Sequence, residues 1–176
     1  MKVQKTKFSN AFIFTPKIFQ DKRGLFLETF NKKIIIKIKN FNFVQDNLSK
    51  SKFGVLRGLH FQTKPFEQGK FVSVLQGKIF DVIVDLRKKS KSFLKWQSFI
   101  LDDEKRKMLW VPPGFAHGFL TLSREAILQY KVTNYYSPEN EKTLDAFDRK
   151  ISIKWPLPKN KILRSNKDEN PNFFLK

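Results

Sequence analysis

The chain has 176 residues, no cysteine and a formal net charge of +19. A chain without cysteine has no disulfide, no thiolate nucleophile and no cysteine-based zinc site. Its start lacks the apolar core of a signal peptide, and no stretch approaches the roughly 18 apolar residues of a membrane helix. We therefore expect a single cytoplasmic domain spanning residues 1–176, with no membrane association.

The 35 basic residues are spread along the whole chain. A positive charge of this size can bind a polyanion such as nucleic acid by neutralising its phosphates. The basic runs are short, however, as in Arg87-Lys88-Lys89, and neither an RNP motif nor a helix-turn-helix accompanies them. The pattern favours a general bias of composition, with a smaller role in attracting an anionic substrate. We expect no nucleic-acid partner.

Short β-type runs recur about every ten residues, with turn signals between them. The predicted strands are 24–30, 71–76, 79–86, 96–101, 108–111, 117–122 and 126–133. Residues 31–39 fit a short helix by charge, but Ile34-Ile35-Ile36 favours a strand, so both assignments remain open. Many short strands in one domain predict an all-β sandwich or barrel of jelly-roll type.

In two predicted strands, the alternation of side chains indicates which way polar residues face. In 126–132 alternation puts Tyr130 on the same face as Ala126, Leu128 and Val132, so its side chain should point into the barrel. Alternation fails beside His60, because Arg57 and His60 fall on opposite faces unless the strand bulges. Gly58, which has wide backbone freedom, is the predicted position of such a bulge.

Both histidines and all three tyrosines lie within residues 57–62, 112–119 and 130–136, whereas phenylalanine occurs 20 times along the chain. Imidazole and phenol differ from a phenyl ring in donating or accepting protons. Their concentration in three segments therefore indicates acid–base chemistry. Two histidines without cysteine make a poor transition-metal site, so we expect no bound metal.

Several short motifs occur together in the order typical of one family. Among them are Gln45-Asp46-Asn47, Arg57-Gly58-Leu59-His60, Gln68-Gly69-Lys70 and Ser165-Asn166-Lys167-Asp168. Together they resemble the dTDP-4-dehydrorhamnose 3,5-epimerases, and the likeness runs from about residue 3 to 168. The resemblance implies a cupin-type jelly-roll barrel with a few short helices. Composition alone predicts a polar tail for 156–176, whereas the resemblance implies that this segment packs back on the barrel.

The resemblance also implies roles for individual residues. His60 would be the base that removes protons alpha to the sugar's 4-keto group, and Asp168 would orient and charge-stabilise it. Tyr130 would return a proton on the opposite face, and Lys70 would stabilise the enolate oxygen. The implied substrate-binding residues, some contributed by the second subunit of a homodimer, are Arg23, Phe26, Glu28, Gln45, Asn47, Arg57, His117 and Tyr136.

The implied activity is epimerisation at C3 and C5 of dTDP-4-dehydro-6-deoxy-D-glucose, giving dTDP-4-dehydro-L-rhamnose for dTDP-L-rhamnose and cell-surface polysaccharide. Such chemistry needs a base on one face and an acid on the other. It needs no cofactor, because the ketone acidifies both neighbouring carbons. Two alternatives remain open: a monofunctional C3- or C5-epimerase of a related dTDP-4-keto sugar, and a non-catalytic cupin that binds a nucleotide sugar or polyanion.

Overall fold

The computed structural model describes residues 1–35 and 42–175. The helical segments found there are short: α1 Lys32–Ile35, a 3₁₀ turn Lys159–Lys161 and α2 Asn166–Glu169. The first of these gives a helical start to the undecided stretch 31–39, whose positions 36–39 lie outside the described residues, as does Lys176. None of the described helices is long and apolar enough to cross a membrane.

Thirteen strands occur in the described part of the chain. Their bounds are β1 Lys2–Lys5, β2 Phe12–Thr15, β3 Ile18–Asp21, β4 Gly24–Leu27, β5 Gln45–Lys52, β6 Leu56–Gln62, β7 Lys70–Gln76, β8 Lys78–Asp85, β9 Trp96–Asp102, β10 Met108–Val111, β11 Phe115–Thr121, β12 Glu125–Val132 and β13 Glu141–Thr143. Two antiparallel sheets, β1-β2-β10-β7-β12-β5 and β13-β6-β11-β8-β9, are accompanied by a separate β3–β4 hairpin. This arrangement confirms the predicted all-β, jelly-roll class.

The seven strands predicted from the hydrophobic pattern all exist, as β4 and β7 to β12. Six have ends within two residues of the prediction, while β4 stops at Leu27, three residues early. The pattern did not predict β5, although it pairs with β12 along its whole length. Its sequence, QDNLSKSK, has almost no apolar residues, so it carries little alternation signal.

The main core lies between the two sheets. Val72 of β7 and Leu128 of β12 meet Ile79 and Ile83 of β8 there, all almost fully buried. The opposite face of β8 is buried too, in a second cluster that brings Val82, Val84, Leu144, Ile151 and Ile153 together with Trp155 and Phe173. The chain after the last strand therefore covers the outer face of the five-stranded sheet.

The end of the chain makes regular contacts with the barrel. Leu163 forms a parallel bridge with Val55, and Phe173 forms another with Leu144. The ring of Phe173 also meets that of Phe61 edge to face, with centroids 5.0 Å apart. These contacts set the position of α2, which lies between them in sequence.

Strand β6 bulges where the sequence predicts it. His60 pairs with His117 and Arg57 pairs with Phe119, so β6 has one more residue than β11 in this interval. Gly58 has a φ of 109°, and a Cβ on it would lie 2.7 Å from both the Cα of Gly118 and the carbonyl oxygen of His117. The bulge is thus confirmed, and both its backbone conformation and its close contacts require glycine.

Candidate active site

A cavity of about 250 Å³ opens between the two sheets. It brings together six of the predicted site residues: Arg57, His60, Lys70, His117, Tyr130 and Asp168. The five-stranded sheet contributes the first two from β6 and His117 from β11, while the six-stranded sheet contributes Lys70 and Tyr130. Polar and titratable side chains from both sheets therefore converge on one space.

The carboxylate of Asp168 holds the imidazole of His60. Its Oδ1 lies 2.6 Å from His60 Nε2 and accepts the Gly58 N–H at 3.3 Å, while the Ser165 hydroxyl donates to Oδ2 at 2.8 Å. Burial opposes ionisation, but the bonds to His60, Ser165 and the Gly58 N–H outweigh it and hold the pKa of Asp168 below its ordinary value. An ionised carboxylate in this position orients the imidazole ring through the contact with Nε2.

Short α2 positions this carboxylate. Ser165 caps the helix, accepting a hydrogen bond from the backbone N–H of Asp168. The side chain of Asp168 is only 3% exposed, whereas that of His60 is 24% exposed. The imidazole is therefore open to the cavity, while the carboxylate that orients it is shielded from solvent. This is the arrangement expected of an oriented general base.

Lys70 places a cation in the same cavity, close to the backbone of His60. Its Nζ lies 3.5 Å from the backbone carbonyl oxygen of His60. Burial lowers the pKa of Lys70 to about 8, against the opposing effects of the Glu141 and Asp81 carboxylates. The ammonium form still predominates at neutral pH, and it can stabilise a negative oxygen within the cavity.

The phenol of Tyr130 reaches the cavity from the opposite sheet to His60. It packs against the main core, so the predicted inward orientation is confirmed. Burial, with a smaller contribution from the Glu141 charge, raises the pKa of Tyr130 in spite of the opposing charge of Arg57. The phenol is therefore protonated at neutral pH and can act as a proton donor.

His117 is paired within the barrel. Its Nε2 lies 2.9 Å from Oδ2 of Asp81, and both residues are buried. The alternation of β8 puts Asp81 on the core face beside Ile79 and Ile83, and the position of His117 on the paired strand explains its burial there. Across residues 1–35 and 42–175, no three His, Asp or Glu side chains converge as metal ligands.

Three further predicted binding residues form a cluster near the cavity. The Gln45 side-chain amide donates to Asn47 Oδ1 at 2.8 Å, and Gln45 Oε1 accepts the Tyr136 backbone N–H at 3.2 Å. The Tyr136 hydroxyl donates to Glu141 Oε2 at 2.7 Å. Hydrogen bonds thus hold Tyr136 at its backbone N–H and at its hydroxyl, while the residue remains half-exposed.

Three other predicted residues do not line the cavity. Arg23 pairs with Asp21 at 2.6 Å within the β3–β4 turn, and Phe26 is 68% exposed on β4. Glu28 follows the hairpin and accepts a hydrogen bond from Asn31. In a single chain, the structure does not bring these three side chains to His60.

The structure adds residues that the sequence interpretation did not assign. Lys167 and Ser165 line the cavity next to Asp168, and their place in the Ser-x-Lys-Asp motif could have indicated this. Glu141 accepts hydrogen bonds from both Tyr136 and Lys167. No local signal marks Glu141, because its partners come together only on folding.

The family model for dTDP-4-dehydrorhamnose 3,5-epimerase matches residues 5–175. The chain is 47% identical over 177 residues to the Shigella flexneri dTDP-4-dehydrorhamnose 3,5-epimerase, covering 99% of this chain and 97% of that one. The solved Bacillus anthracis dTDP-4-dehydrorhamnose 3,5-epimerase, with TDP and PPi bound, has a TM-score of 0.94 at 42% identity, covering 98% and 99%.

The Legionella pneumophila dTDP-6-deoxy-D-glucose-3,5-epimerase, in complex with dTDP-4-keto-L-rhamnose, has a TM-score of 0.91 at 44% identity, covering 96% of this chain and 89% of that one. The match in both sequence and structure thus extends over nearly the whole chain. The protein belongs to the dTDP-4-dehydrorhamnose 3,5-epimerase family and has its cupin-type jelly-roll fold.

Proposed function

We propose that this isomerase epimerises C3 and C5 of dTDP-4-dehydro-6-deoxy-D-glucose, giving dTDP-4-dehydro-L-rhamnose in dTDP-L-rhamnose biosynthesis. The observation that carries the proposal is the placement of His60 and Tyr130 on opposite sheets around one cavity. Inversion of a C–H centre needs a base on one face and an acid on the other. The family relationship supports the same substrate.

Each epimerisation begins at the imidazole. His60 takes the proton from the carbon alpha to the 4-keto group, and the ionised Asp168 stabilises the imidazolium. The electron pair of the broken C–H bond moves to the keto oxygen, where the Lys70 ammonium stabilises the enolate. Tyr130 then gives its proton to the opposite face of the same carbon. Proton exchange with solvent restores both groups, and no cofactor takes part.

The rest of the substrate extends beyond the cavity. A space of about 250 Å³ is slightly below the usual range for a ligand site and suits the sugar rather than a whole nucleotide. Arg57 and His117, at its wall, would contact the sugar and diphosphate. The Tyr136 ring, with Gln45 and Asn47 beside it, would bind the thymine.

We propose that the protein is a homodimer whose β3–β4 hairpin enters the partner's site. Phe19, Leu25 and Phe26 are 50%, 47% and 68% exposed on this hairpin, and such apolar exposure on a projecting element is typical of an interface. In the dimer, each subunit would supply Arg23, Phe26 and Glu28 to the active-site cavity of its partner. A cytoplasmic location is part of the proposal, and the cysteine-free chain is compatible with it.

The direct test is turnover. Purified protein is incubated with dTDP-4-dehydro-6-deoxyglucose, and the sugar signals are followed by proton NMR. The proposal predicts conversion by the wild type and loss of conversion in a folded His60→Ala variant. If a folded wild type binds the nucleotide sugar without converting it, the catalytic proposal is overturned and a binding function takes its place.

A further inference from the structure

A second cavity, separate from the candidate active site, has a strongly basic lining. Its volume is about 1050 Å³, and no residue lines both cavities. It lies between the stretch 7–9, the loop connecting β8 and β9, and Ile151. Among the described residues, no carboxylate lines it, whereas five cations do: Lys7, Arg87, Lys89, Lys91 and Lys95.

Within residues 1–35 and 42–175, four of these five cations have no acidic partner. Arg87 pairs with Asp85 at 2.8 Å. Among the residues that the structure describes, no carboxylate oxygen lies within 4.0 Å of the ammonium groups of the four lysines. A concave surface with one sign of charge concentrates its field and attracts ions of the opposite sign. The cavity therefore favours an anion with more than one negative charge.

The loop that carries the lysines is held in a fixed shape by Asp85. This buried carboxylate accepts the Arg87 backbone N–H at 3.0 Å and the hydroxyls of Ser90 and Ser92 at 2.6 Å each. Burial opposes its ionisation, but the bonds from Arg87, Ser90 and Ser92 bring the pKa of Asp85 down to about 2. The carboxylate thus remains charged, and the loop keeps its shape over the physiological range.

Backbone hydrogen bonds close the same loop. The Leu94 N–H donates to the Asp85 carbonyl at 2.8 Å, and the Lys95 N–H donates to the Ser92 carbonyl at 2.9 Å. Lys89, Lys91 and Lys95 consequently extend from a frame that is already ordered. An anion would lose less free energy in ordering this site than in ordering a mobile loop.

The remaining lining is partly apolar. Phe8, Leu94, Trp96 and Ile151 lie alongside the lysines. A volume of about 1050 Å³ slightly exceeds the usual range for small-molecule sites. The lining therefore suits a ligand with both a charged and an apolar part, larger than an inorganic ion.

We propose that this cavity binds a small molecule in which two or more phosphates are joined to an aromatic group, such as a nucleoside diphosphate. The lysine ammonium groups would meet the phosphates as point charges. Trp96, which is partly exposed in the lining, would contact the ring. The site would operate independently of catalysis at His60.

Isothermal titration calorimetry with ADP tests the proposal on the full chain. Three proteins are compared: wild type, the Lys89→Ala/Lys91→Ala/Lys95→Ala variant, and a control, Lys78→Ala/Lys154→Ala/Lys161→Ala. The control loses the same charge from exposed positions outside this cavity. Removal of three lysine contacts should weaken ADP binding about tenfold or more, whereas the control should stay within about twofold of wild type.

Two further measurements complete the test. Adenosine, which has no phosphate, should bind none of the three proteins measurably, and the loop variant should keep wild-type turnover. Equal weakening in both triple variants would show general charge attraction and overturn the proposal. Unchanged ADP affinity in the loop variant, or binding of a single-stranded oligonucleotide without binding of ADP, would also overturn it.

Discussion

Asp168 lies 108 positions after His60 in the chain, yet its Oδ1 is 2.6 Å from the imidazole Nε2. The contact depends on the final segment returning over the barrel, where Ser165 caps α2 and presents the carboxylate inward. The proposed general base thus obtains its charge partner from a region whose composition resembles a tail. The position of the proposed general base therefore depends on packing of the final segment against the barrel.

Replacement of Asp168 by Asn should lower activity with little change in fold. The amide keeps the shape of the side chain but removes the negative charge that stabilises the imidazolium. We expect turnover to fall by about 10²–10⁴-fold, the range for loss of an effective acid–base group. The control is Glu169→Gln on the exposed side of the same helix, which should behave as wild type. Equal turnover in the two variants would contradict a role for the Asp168 charge.

The Tyr130→Phe variant removes only the phenol hydroxyl. Proton removal by His60 should continue, whereas protonation on the opposite face should fail. We therefore expect deuterium exchange from D₂O into the substrate to persist while epimerised product falls by about 10²-fold or more. Proton NMR measures both quantities in one sample. Tyr135→Phe, altered at an exposed ring, is the matched control; undiminished product in Tyr130→Phe would assign the acid elsewhere.

The pH profile should report on Lys70. Its pKa is lowered to about 8 by burial, so the ammonium is present below that pH and lost above it. Because the charged form is the one proposed to stabilise the enolate, kcat should decrease as pH rises through about 8. Glu141 raises this pKa, so Glu141→Gln should move the decrease to lower pH. A decrease at the same pH in the variant would rule out Lys70 as its source.

Alanine substitutions at two glycines distinguish the cost of backbone strain from the cost of steric contact. Gly58 and Gly24 have φ angles of 109° and 126°, but an added Cβ meets atoms at 2.7 Å only at Gly58 and nothing within 4 Å at Gly24. Gly58→Ala should therefore reduce the free energy of unfolding by about 1–3 kcal/mol more than Gly24→Ala. Urea denaturation measures both. Equal losses would mean that the β6 bulge can move away from β11.

Polar substitution on the hairpin should dissociate the proposed dimer. In Leu25→Ser/Phe26→Ser, two side chains that are 47% and 68% exposed in the single chain lose the apolar surface that would be buried against the partner. Analytical ultracentrifugation should show a dimeric wild type and a monomeric variant with reduced turnover. The control is Phe53→Ser/Phe93→Ser, exposed rings elsewhere, which should stay dimeric. A monomeric wild type with full turnover would contradict the shared site.

Strand β12 was predicted from an alternation that burial produces, because Ala126, Leu128 and Val132 face the core and Tyr130 shares their phase. Strand β5 was missed, since its less exposed positions are Gln45, Asn47, Ser49 and Ser51, polar side chains beside the candidate site. In β5 the hydrophobic pattern is weak because the inward side chains lie beside the candidate site and not in the apolar core.

The candidate site was foreseen in part. The motifs around His60, Tyr130 and Asp168 identified residues that the structure brings to one cavity. Glu141 was missed, because its contacts with Tyr136 and Lys167 arise only when β13 and α2 come together. The basic cavity was missed as well, since its lysines look like scattered surface charge until the fold assembles three segments around it.

The measurement that tests the central claim most directly is proton NMR of dTDP-4-dehydro-6-deoxyglucose incubated in D₂O with the wild type and with His60→Ala. The account predicts that deuterium enters both C3 and C5 with the wild type and neither position with the variant. Exchange at one carbon alone would contradict double epimerisation. Equal exchange with both proteins would contradict the assignment of His60 as the base.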